Sequence, residues 1–158
     1  MNTSTDRIER KVLIKASRAR VWRALSDAGE FGEWFGVNFK GKTFVAGKHV
    51  QGKITYPGYE HVTWEARVEK MEPERVFSFY WPHVQSFEKT DKPADYSNAP
   101  RTLVEFRLEP IPGGTLLLLT ESGFDSIPAD WRPEAFRRND GGWTEQMKNI
   151  ESHVTQNS

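Results

Sequence analysis

The sequence predicts an α+β fold in which a curved antiparallel sheet of about seven strands wraps a long C-terminal helix, with two short helices after the first strand. Three observations carry that expectation. From residue 43 to residue 122, apolar runs alternate with polar positions and are separated by turn residues, the pattern of consecutive strands joined by short connections. Phe136, Trp143, Met147, Ile150 and Val154 recur at steps of 7, 4, 3 and 4, which is a helical stripe. Between an opening apolar run and the meander, the period changes from two to about 3.6.

Residues 8 to 15, IERKVLIK, form the first predicted strand. Ser17 is placed to cap the following helix, SRARVWRALSD, whose Val21, Leu25 and Ala28 fall at i, i+4 and i+7, with Gly29 as its end. EFGEWF then makes a short helical segment with Phe31, Trp34 and Phe35 on one side. Strands are expected near 43–46, 49–56, 60–71, 75–82, 101–110 and 115–122, divided by Ala46-Gly47, Pro57-Gly58, Glu72-Pro73-Glu74, the segment 83–100 and Pro112-Gly113-Gly114. Val62, Trp64, Ala66 and Val68 share a dry face opposite Thr63, Glu65, Arg67 and Glu69. Phe77, Phe79 and Trp81 likewise oppose Val76, Ser78 and Tyr80, and TLLLLTE is apolar throughout, as in a central strand. The terminal stripe keeps its phase across Gly141 and Gly142, which favours one helix. The Asn-Asp-Gly sequence leaves open a turn between two helices, or a late start capped by Asp140. On a continuous helix Gly142 lies about 100° from Trp143, bordering the sheet-facing side, and Gly141 about 160° away.

The 158 residues suit one domain, spanning 8–155, with 1–7 and 156–158 as flexible termini. Lys plus Arg and Asp plus Glu each number 22, so there is no basic footprint for nucleic acid or an anionic membrane. The absence of cysteine excludes disulfides, thiolate metal sites and cysteine nucleophiles. A polar N-terminus and the lack of any apolar run near ~20 residues point to a cytoplasmic protein. Aromatic residues make up 13% of a chain only 37% hydrophobic, so large rings must line the interior. His49, His61, His83 and His153 lack the pairing of a metal site, no G-x-S-x-G occurs, Ser122 reads as turn chemistry, and Gly113-Gly114 lies in a hairpin rather than before a helix. No catalytic residue, metal or cofactor is therefore indicated.

The order of elements resembles the helix-grip fold of the START-like, or SRPBCC, superfamily. IKASRARVWRALSDAGEFGEWF, GGTLLLLTESGF and the terminal NDGGW resemble the activator of heat-shock protein 90 ATPase homologue family, in that order and over residues 8 to 154. Ser17 stands where that family often has a proline. The resemblance implies a cavity between sheet and helix that in relatives holds small apolar or aromatic molecules. By strand and helix phase, its expected lining is Trp34, Phe35, Tyr56, Trp64, Phe79, Trp81, Phe106, Leu117, Glu121, Gly142, Trp143 and Met147; the same rings serve equally as plain core. The resemblance also implies two other functions. One is action on the heat-shock protein 90 ATPase in a stress response, through a surface and with a chaperone as partner. The other is a cyclase or aromatase type of enzyme. The protein is expected as a monomer or a homodimer.

Glu121 shares the face of Leu117 and Leu119, where desolvation would raise its pKa and let it orient or protonate a ligand. The alternative is a wet strand end where Glu121 pairs with Arg137 or Arg138. His61 falls on the wet face. His83 opens the 83–100 segment, either as a solvated loop residue or at a cavity mouth. That segment is expected to gate the cavity, with Phe87 or Tyr96 touching ligand.

Overall fold

In the computed structural model of the protein, which describes residues 7–84, 96 and 98–156, the alternating segments pair into one seven-stranded antiparallel sheet. Its strands are β1 (Arg7–Ile14), β2 (Val37–Asn38), β3 (His49–Ile54), β4 (Thr63–Glu72), β5 (Val76–Pro82), β6 (Arg101–Ile111) and β7 (Gly114–Ser122). Across the sheet the order is β1-β7-β6-β5-β4-β3-β2, so β2 to β7 run as a meander and β1 closes against its last strand. Helices α1 (Arg18–Ser26) and α2 (Ala28–Phe35) follow β1, and α3 (Arg132–Gln156) is the long C-terminal helix. Among the described residues no helix is long and apolar enough to cross a membrane.

The local chemistry explains most boundaries. Ser17 Oγ accepts the backbone N–H of Arg20 at 3.2 Å and starts α1. That helix stops at Ser26 rather than at Gly29, because Asp27 closes it and its carboxylate caps α2 by accepting the N–H of Glu30 at 3.1 Å. The strand expected at 43–46 does not form: the alternation there marks one inward ring, Phe44, packed on Phe31, Phe39 and Phe77. The edge strand is Val37–Asn38 instead, paired with Ile54 and Lys53. Of the expected flexible termini, Arg7 and Gln156 belong to β1 and α3, while residues 1–6 and 157–158 lie outside the described residues.

Inward positions of the strands meet the inner side of α3. Val68, Phe77, Phe79, Val104, Phe106, Leu117 and Leu119 are buried, as are Ala135, Trp143, Met147, Ile150 and Val154 of the helix. Phe31 of α2 is fully enclosed and touches rings from both layers, including Trp34, Trp64, Phe77 and Phe79. The helix is continuous across Gly141 and Gly142, as the kept phase of its stripe favours, and neither the alternative turn nor the late start is present. Arg10 of β1 ties the helix to the sheet edge through Asp140 at 2.7 Å.

Candidate ligand-binding site

Register places Glu121 at the inner end of β7, opposite Ile8 of β1 and Val104 of β6. Two residues further along, Trp81 and Thr102 face each other across β5 and β6. His83 follows Trp81 by two residues, on the same side, and α3 supplies Asn139 and Trp143, one helical turn apart. These side chains converge on one carboxylate. Oε1 accepts the indole N–H of Trp143 at 2.8 Å and the Asn139 amide at 3.1 Å. Oε2 accepts the Trp81 indole N–H at 2.8 Å, the Thr102 hydroxyl at 2.5 Å and the Asn139 amide at 3.1 Å, with His83 Nε2 also at 3.1 Å.

The carboxylate is fully buried, so the expected wet strand end is not found. Nor is its pKa raised. Burial is the largest single influence and pushes it up. The hydrogen bonds of His83 and Thr102, the charge interaction with His83 and the Trp143 N–H together hold it below the ordinary carboxylate value. His83 is itself buried and bonded to Thr102 at 2.8 Å, which corrects its reading as a solvated loop residue.

Trp81 and Trp143, fixed by this shared acceptor, stack at 5.6 Å and form the inner wall of a cleft of about 490 Å³. Phe35, Ile54, Tyr56 and Tyr59 close its other side, and Arg138, Asn139, Gly142 and Gln146 line the helix side. Gln146 is anchored by donating to the carbonyl of Phe35 at 2.9 Å. Gly36, at φ 97, ends α2 in the left-handed region; the Tyr56 ring lies 2.5 Å from where a Cβ would stand, so only glycine lets that ring pack there. A smaller recess of about 110 Å³ adjoins the cleft, sharing Ile54, Trp81, Arg138 and Asn139 and adding Trp64, Glu65, His83 and Tyr96.

The expected lining therefore divides. Phe35, Tyr56, Trp81, Gly142 and Trp143 line the cleft, and Trp64 the recess. Phe79, Phe106, Leu117 and Met147 are core side chains away from both walls, and Trp34 is held in the core by its N–H on the carbonyl of Ala24. Glu121 lies behind the wall and holds two of its rings. Of the expected gate, Tyr96 lines the recess and donates to the carbonyl of Thr63 at 2.7 Å, while Phe87 and residues 85–95 lie outside the described residues.

Ile54, Tyr59, Arg138, Asn139 and Gln146 are lining residues outside the expected set, and His83 enters it only through its alternative reading at a cavity mouth. Three of them carried a signal. Asn139, Trp143 and Gln146 are spaced i, i+4 and i+7, and His83 continues the count by two from Phe79 and Trp81. Among the described residues no three His, Asp or Glu side chains gather in a metal-binding arrangement.

The family model for Activator of Hsp90 ATPase homolog 1-like protein matches residues 15–155. No curated protein matched the chain in sequence. Among solved structures, a protein from Mesorhizobium loti is similar with a TM-score of 0.71 at 20% identity, covering 96% of this chain and 98% of that one. A protein from Arthrobacter aurescens gives 0.78 at 14% identity, covering 98% and 90%. The Aha1 dimer from Colwellia psychrerythraea gives 0.63 at 17% identity, covering 94% and 95%. At these identities the likeness is one of fold, and that fold is the curved sheet and long helix described above.

Proposed function

The chain belongs to the Activator of Hsp90 ATPase homolog 1-like protein family, and from that premise we propose that it binds a small apolar or aromatic molecule in the cleft between sheet and α3. The observation that carries this reading is the cleft itself. Its volume of about 490 Å³ falls within the range of small-molecule sites, and its walls are mostly rings and aliphatic groups with a few polar side chains at the helix. Tyr56 and Tyr59 remain 44% and 51% exposed at its edge, apolar surface that an occupant would cover.

The test is titration with N-phenyl-1-naphthylamine, a neutral fluorescent probe, for wild type and Gly142→Leu. A Cβ at Gly142 meets open space within 4 Å, so the leucine enters the cleft without displacing the fold. The probe should bind wild type with a blue-shifted emission, and the variant about tenfold more weakly or worse, a loss of about 1.4 kcal/mol. No binding to wild type, or equal affinity in a folded variant, would remove the cleft as the site. A chaperone partner at an exposed surface would then be the reading to pursue, by stimulation of a heat-shock protein 90 ATPase.

A further inference from the structure

The two cavities have different characters. The cleft has room for a ring system. The recess, at about 110 Å³, has the volume share of roughly three or four water molecules, too little for a second ring system beside its walls and enough for one small polar group.

One wall of the recess is Trp64, which is 8% exposed. Its indole N–H is buried and has no acceptor among the described residues. Such a donor is costly to leave unmade and asks for an explanation. The other two buried tryptophans are satisfied, Trp34 donating to the carbonyl of Ala24 and Trp143 to Glu121, as is half-buried Trp81, which also donates to Glu121. Two other buried nitrogens lacking a well-directed hydrogen bond, on Arg20 and Arg101, still lie 2.9 and 3.0 Å from the carboxylates of Glu30 and Glu65. Trp64 has no such neighbour, and it lines the recess beside Trp81, which both cavities share.

We infer that the ligand is bipartite, with an apolar ring body in the cleft and a neutral carbonyl-type acceptor in the recess, hydrogen-bonded by Trp64 Nε1–H. This inference rests on the cleft being a ligand site. The acceptor is assigned as neutral because of the charges around it. Glu65 lines the recess, its charge partly offset by Arg101 at 3.0 Å, and Glu121 lies directly behind Trp81 and His83. Tyr96, also in the wall, has its phenol pKa raised by burial and further by the negative charge of Glu65, so the recess disfavours added negative charge. Arg138 lines both cavities and offsets part of that field; its own pKa is lowered by burial, against the carboxylates of Glu134 and Glu121. The acceptor belongs to the ligand, because Trp64 has only a donor to offer.

The test uses displacement of N-phenyl-1-naphthylamine by three molecules of matched shape: 2-acetylnaphthalene, 2-ethylnaphthalene and 2-naphthoate. Wild type should bind the ketone about three- to tenfold more tightly than the hydrocarbon, the range of one net neutral hydrogen bond. It should bind the carboxylate more weakly than the ketone. In Trp64→Phe the ketone advantage should vanish while hydrocarbon affinity stays within about twofold. In 15N-labelled wild type, the Trp64 indole proton should move downfield with the ketone and not with the hydrocarbon, a readout that stands even if the variant fails to fold. Equal binding of ketone and hydrocarbon, a ketone advantage that survives Trp64→Phe, or a preference for the carboxylate overturns the inference and leaves the cleft standing. Failure of all three to displace the probe overturns the cleft as well.

Discussion

Glu121 accepts hydrogen bonds from side chains of β5, β6 and α3 at once, and two of the donors, Trp81 and Trp143, are the rings that wall the cleft. The carboxylate is thus a positioning group, fixing ring planes that ligand would meet. Glu121→Gln keeps the shape but places an NH2 group among donors, leaving at least one of them unpaired in a fully buried setting. A loss of about 2–4 kcal/mol of stability is expected, measured by urea unfolding at neutral pH, with weakened probe binding even where the variant is fully folded. Unchanged stability would mean that the network is loosely held. Counting by two along TLLLLTES was enough to place Glu121 on the inner face. The sign of its pKa shift was not legible, because every donor that reverses the effect of burial comes from residues at least 18 positions away.

Among the elements, α3 shows how far periodicity carries. The stripe from Phe136 to Val154 marked the helix and its buried side, and the kept phase across the glycine pair marked its continuity. Periodicity failed for the edge strand: residues 43–46 alternate but have no partner strand, whereas Val37–Asn38, too short to show a period, is specified by its pairing with β3. The two glycines play different parts. Both face open space, but Gly142 lines the cleft, as its phase predicts, so Gly142→Leu should damage binding rather than the fold. Gly141 is exposed within the helix and lines neither cavity. Gly141→Ala should therefore raise stability by about 0.5–1 kcal/mol, read as a higher urea midpoint at constant slope, and leave probe affinity unchanged. A destabilised Gly141→Ala would show that the helix bends there in a way alanine resists.

At the scale of the whole molecule, the rings that fill the core and the rings that wall the cleft are one cluster, and two buried or half-buried carboxylates hold α3 over it. Glu121 binds the helix through Asn139 and Trp143. Glu30 of α2 binds it through His153 at 2.9 Å and also pairs with Arg20 and Arg23 of α1. Burial pushes the Glu30 pKa up, but the hydrogen bond of His153 and the contacts with Arg20 and Arg23 hold it below the ordinary value, as at Glu121. A carboxyl whose folded pKa is depressed stabilises the fold above its unfolded pKa, about 4.3, and that contribution is lost as pH falls through the folded value. In that window the unfolded chain binds more protons, so stability rises with pH. Urea unfolding at steps from pH 7 to pH 3 should therefore show wild type losing stability at up to about 1.4 kcal/mol per pH unit for each group involved. Glu121→Gln, lacking one titrating group, should lose less, so the gap between the two proteins narrows on acidification. Because both groups fasten the same helix, probe binding in wild type should fall over the same acid range. A gap that stays constant down to pH 3 would mean that Glu121 keeps no depressed pKa in the folded protein.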